Sequence, residues 1–114
     1  MPLQDWRELA NQELEIAQSA RQNGNEGRAR VCARRAAGHV VGEYLARNEI
    51  SFSSGSAIER LRYLQSSSEI NPEQRETIEH FLVHTTPEHK LPINADLLED
   101  VDLLARQLLG ESLP

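Results

Sequence analysis

Glu26-Gly27-Arg28-Ala29-Arg30-Val31-Cys32-Ala33-Arg34-Arg35-Ala36-Ala37-Gly38-His39-Val40-Val41-Gly42-Glu43-Tyr44-Leu45-Ala46-Arg47 is a run without proline in which apolar residues return at helical spacing. Ala29, Cys32, Ala33, Ala36, Ala37, Val40, Val41 and Tyr44 form one wide apolar face. At about 100° per residue, Val31, Gly38 and Gly42 fall on the opposite side. A glycine inside a helix costs about 1 kcal/mol relative to alanine. Two of them on one outward face imply close approach by another helix, against the plainer reading of a tolerant surface. The run is therefore expected to be contacted on both sides. A second copy of the chain is the candidate second neighbour, making Val31, Gly38 and Gly42 a candidate dimer interface.

The neighbouring segments read as further helices. Residues 4–22 carry Trp6, Leu9, Ala10, Ile16, Ala17 and Ala20 at helical spacing, with Asp5 and Glu8 at capping-box positions. Asn23-Gly24 ends that helix, glycine being free to turn left-handed, and the short loop predicts an antiparallel hairpin with the next. After a polar, Ser-rich connection over 48–55, Ser56-Ala57-Ile58-Glu59 opens a short helix with Ile58, Leu61 and Leu64 inward, closed by Ser66-Ser67-Ser68. Asn71-Pro72 with Gln74 starts a fourth helix bearing Ile78, Phe81 and Leu82. Pro87 and Pro92 break the stretch 85–93. Asn94 is the expected cap of a last helix with Leu97, Leu98, Val101, Leu104, Ala105 and Leu108 inward, and Gly110 stops it. The expected fold is all-α: one domain over residues 1–114, an antiparallel bundle of four main helices plus a short extra one.

Composition agrees. Fifteen Leu and eleven Ala among 114 residues, with five aromatics, favour helices over a β sandwich or barrel. Nothing is apolar for long enough to span a membrane, and residues 1–5 lack a basic, apolar leader, so a cytoplasmic setting is expected. One cysteine, Cys32, excludes an internal disulfide and a paired-cysteine zinc site. On an apolar face it reads as a small, inert core residue.

The net charge of −6 is unevenly spread: residues 1–68 carry nine Arg against eight acids, residues 69–114 ten acids against three bases. Bulk electrostatics do not favour nucleic acid. Yet Arg28, Arg30, Arg34, Arg35 and Arg47 share one helix, and Arg34, Arg35 and His39 are candidate anion ligands. The plainer alternative is a solvated, salt-bridged flank.

This layout resembles the HEPN family (higher eukaryotes and prokaryotes nucleotide-binding domains). The resemblance lies in Trp6-Arg7-Glu8-Leu9-Ala10 with Glu13-Leu14-Glu15-Ile16-Ala17, in Arg30 to His39 followed by Tyr44-Leu45, and in Leu91-Pro92 before Leu97 to Leu109. It implies a dimeric helical bundle. It also implies links to RNA cleavage, to nucleotide binding, or to toxin–antitoxin pairing with a small nucleotidyltransferase. Active members carry an Arg followed after four to six residues by a His, which Arg75 and His80 match. On that resemblance His80 would move protons and Arg75 would hold phosphate. Glu76 departs from the family pattern, and Glu73 and Glu79 add further repulsion toward an anionic substrate. Five residues along a helix also set the two side chains about 140° apart. The pair Arg34 and His39 has the same spacing but sits in the second helix, where the family does not place its site.

Glu76, His80 and His84 recur at one helical spacing, but one helix supplies them all, so a polar face is expected rather than a metal site. No cofactor is implied. The expected function is a non-catalytic HEPN-like module binding a nucleotide, RNA or a protein partner. The alternatives are a metal-independent ribonuclease toxin using Arg75 and His80, and an adaptor bundle unrelated to HEPN.

Overall fold

Each helix begins where a capping side chain meets the first free backbone N–H groups. The structure, a computed structural model, describes residues 5–83 and 95–113. It contains α1 (Trp6–Gln22), α2 (Glu26–Arg47), α3 (Ala57–Gln65), α4 (Pro72–Leu82) and α5 (Leu97–Leu109), with no strand among the described residues. Asp5 caps α1 by accepting from Arg7 N, Asn25 caps α2, and Ser56 caps α3. Asn71 and Gln74 form both halves of the expected box on α4. The cap of α5 is Asp96, whose carboxylate accepts from Leu98 N. The expected cap Asn94 and the break at Pro87 and Pro92 lie outside the described residues, as does His84. Gly24 (φ 77) and Gly110 (φ 70) take the left-handed conformation that ends α1 and α5.

α2 is the axis of the molecule. It packs on α1, on α5 and on α3, while α4 bridges α3 and α5. Its apolar face is buried as expected, Leu45 joins it, and Tyr44 is only half-buried. Ala17 and Ala20 of α1 meet Ala29 and Cys32 of α2, so small side chains let the two helices close together beside their short loop. Leu61, Leu64, Ile78, Phe81, Leu97, Val101 and Leu104 complete the main core. Ile58, expected inward, is half-buried at its edge. No described helix is long and apolar enough to cross a membrane.

The outward glycines of α2 have their close neighbours within the same chain. A Cβ on Gly38 would lie 2.6 Å from Ala57 Cβ and 2.8 Å from Ala57 Cα, so the start of α3 rests on the α2 backbone. A Cβ on Gly42 would meet Arg60 Nη1 at 2.6 Å. That guanidinium donates to the carbonyls of Gly38 and Ser54, both at 3.1 Å. The two-sided contact expected for this helix is present, but α3 supplies it where a second copy was the candidate. Val31, the third residue of that expected interface, is left 45% exposed.

Ion pairs tie the ends together. Arg21 of α1 holds Glu26 of α2 and Asp96 before α5, and Glu111 bridges Arg7 and Arg47. Hydrogen bonds from Arg21 lower Glu26, and those from Arg47 and Arg7 lower Glu111. At Asp96 and Asp102 burial works upward but is outweighed, by Arg21 at the first and by the Leu113 amide and Arg106 at the second. All four carboxyls thus bind protons less readily folded than unfolded. Their stabilisation is present at neutral pH and lost as pH falls through their depressed values. The melting temperature should therefore fall steadily below about pH 5. A melting temperature unchanged between neutrality and pH 3 would contradict these pairs.

Candidate functional site

The seat of α3 on Gly38 has a consequence one turn back along α2. Val31, Arg34 and Arg35 there form one wall of a groove of about 520 Å³. The first turn of α3 (Ser56, Ala57, Ile58) and Arg62 form a second wall, and Phe81, Leu82 and Val83 close it at the end of α4. Three arginines therefore line one depression, with no acidic residue among its described lining residues. Among the described residues, none of these three arginines makes an ion pair. The positive end of the α3 dipole adds to the same field.

Arg34 is the anchor. It is half-buried, and its Nε donates to the Phe81 carbonyl at 2.8 Å, which fixes the planar head at the groove edge. Burial first, then the charge of Arg30, pushes its pKa down. A cation held in a setting that disfavours its charge is stabilised by any anion brought beside it. Ile58, Leu82 and Val83 are half-buried and Val31 is exposed, so the floor is aliphatic.

His39, expected with Arg34 and Arg35, is not among the residues lining this groove but shares a neighbouring space with Arg35. It lines an adjoining polar cleft of about 340 Å³ with Glu13, Arg35 and Arg60. Burial lowers its pKa, with Glu13 raising and Arg60 lowering it further, so the ring is uncharged at neutral pH. Arg35 lines both spaces. Arg62 was not among the expected ligands. Its position gave no sign, because only the tertiary contact at Gly38 brings α3 to α2.

Arg75 and His80 do not meet at a common opening. Arg75 reaches back to the α3–α4 connection, donating to the carbonyls of Gln65, Ser67 (3.1 Å) and Ile70 (3.5 Å). His80 Nδ1 lies 3.0 Å from Asp100 Oδ2 and ties α4 to α5. Both side chains face packing partners of the bundle. Glu76 is exposed, and no group of metal-ligating side chains forms among the described residues. Cys32 is buried; desolvation and the nearby Glu13 push its thiol pKa up, which keeps it protonated and unreactive.

Searches against protein-family models, curated proteins and solved structures find no match to this chain.

Proposed function

We propose that the chain is a non-catalytic helical binding module, HEPN-like in layout, that takes an anionic group of its ligand in the groove of Arg34, Arg35 and Arg62. One observation carries this reading: three arginines line one groove, with no carboxylate among its described lining residues, on a chain of net charge −6. Folding brings these like charges together, and among the described residues none of the three is in an ion pair. Such an arrangement is a recurrent mark of binding sites. The nucleotide, RNA and protein partners implied by the HEPN resemblance all carry a suitable anion. A place beside a small nucleotidyltransferase in a toxin–antitoxin pair, and a homodimer, belong to the same reading. The partners of Arg75 and His80 favour binding over ribonuclease chemistry, since each side chain is engaged in holding two elements together.

Calorimetric titration with inorganic pyrophosphate at low ionic strength tests it. Saturable binding should weaken with added salt. Arg62→Ala should weaken it by about tenfold, the value of one charge-assisted contact. Arg62 is exposed, so its loss should leave the fold intact. Absence of saturable heat, or an affinity that Arg62→Ala does not change, would overturn the proposal.

A further inference from the structure

The same groove has a second chemical character, and on the reading above it narrows the kind of ligand. Its charges stand around an aliphatic floor. Val31 is 45% exposed in the second turn of α2, among the few large apolar side chains left in solvent among the described residues. Ile58, Leu82 and Val83 stand partly open around it. Burying such a floor needs an apolar group on the ligand, and holding the arginines needs carboxylates or phosphates beside that group.

A nucleotide fits the charges but not the floor. The one aromatic side chain among the described lining residues, Phe81, is fully buried and offers no open face for a base to stack on. Among the described lining residues Ser56 is the one uncharged polar side chain, and none is an Asn, Gln, Asp or Glu that could read a base edge. Polar base edges pressed on aliphatic walls would lose hydrogen bonds to water without replacement. A long nucleic acid would in addition meet the ten acids of residues 69–114.

We infer that the groove docks an acidic, apolar segment of a partner protein: a bulky aliphatic or aromatic side chain on the Val31–Ile58–Leu82 floor, flanked by Asp or Glu paired with Arg34, Arg35 and Arg62. Bidentate pairing with carboxylates suits the planar guanidinium heads. An apolar anchor within a charged rim is the usual form of peptide recognition in a groove. Charge complementarity argues for this occupant, since three arginines and no carboxylate stand among the described lining residues.

The test uses the full chain and two fluorescein-labelled peptides read by polarisation. One alternates Leu with pairs of Glu; in the other every Leu is Ser. The Leu peptide should bind saturably and the Ser peptide about tenfold more weakly, as expected for losing a buried apolar side chain. Arg62→Glu should weaken the Leu peptide by more than about tenfold. Val31→Ser, at an exposed position and checked for fold by circular dichroism, should weaken the Leu peptide by a larger factor than it weakens pyrophosphate binding. Equal binding of the two peptides, or a Leu-peptide affinity that Val31→Ser does not move, overturns the inference while pyrophosphate binding still supports the anion site. If neither peptide nor pyrophosphate binds, both readings fall. Tighter binding of ATP or an RNA oligonucleotide than of the Leu peptide assigns the groove to nucleotides and also overturns it. So does self-association by light scattering that Arg62→Glu abolishes, because the occupant is then a second copy.

Discussion

Gly38→Leu should destabilise the chain by about 3 kcal/mol in urea unfolding, near the upper end of what overpacking costs. The Cβ alone would sit 2.8 Å from the Ala57 Cα, a backbone atom that cannot yield unless the start of α3 moves. A typical domain is stable by only about 5–15 kcal/mol, so the loss is a large share of the total. Gly38→Ala should lose about 2 kcal/mol, because the clash exceeds the roughly 1 kcal/mol of helix propensity that alanine restores. Gly42→Ala provides the contrast. The atoms in its way belong to the far end of Arg60, which can swing aside. Its helix-propensity gain of about 1 kcal/mol should be offset by weakening of the Arg60 bond to the Gly38 carbonyl, for a net change near zero. Contact with a second copy alone would instead leave monomer stability unchanged and alter only the association state. A Gly38→Ala protein as stable as the parent would remove the α3 contact, and with it the geometry of the groove.

His80→Ala should cost about 2 kcal/mol at neutral pH, because it leaves Asp100 buried without its partner. Burial raises the Asp100 pKa, and the hydrogen bond and charge of His80 counter that rise. Removing His80 lets the pKa climb further. For an acid whose folded value is raised, stability is fully present below the unfolded value, near 4, and is lost as pH rises through the folded value. The deficit of His80→Ala should therefore grow from about pH 4 toward neutrality, opposite in direction to the behaviour of Glu26, Asp96, Asp102 and Glu111. Asp100→Asn, which carries no charge to desolvate, should lose less than His80→Ala at neutral pH. A deficit independent of pH would show that the ionised Asp100 is not what His80 offsets. Because Arg75 and His80 hold different elements, any RNA cleavage by this chain should survive Arg75→Gln in proportion to the folded fraction. Abolished cleavage in a fully folded Arg75→Gln protein would restore the catalytic reading of that pair.

The local part of the structure was legible because it rests on short-range chemistry. Ser56, Asn71-Pro72 with Gln74, and Gly110 mark helix ends by hydrogen bonds and backbone angles a few residues away. The buried stripe of α2 follows from 3.6-residue periodicity alone. The site was only half legible. Arg34 and Arg35 are neighbours in sequence, so their nearness was readable, whereas His39 lines a separate cleft framed by Glu13 of α1 and Arg60 of α3. The partners of Arg75 are backbone carbonyls, which carry no residue-type signal, so a catalytic spacing and a structural anchor look the same in one dimension.

Taken alone, the residues determined the order of the described helices and most of their inward faces, Ile16 being exposed, and showed that α2 had to be approached closely where it carries glycine. They did not determine by what. Gly38 records an absence of side chain, and any neighbouring helix can fill such a space. Only the tertiary structure decided that α3 fills it. That choice, made by packing between residues far apart in the chain, carries Arg62 and the first turn of α3 to Arg34 and Arg35 and makes the groove.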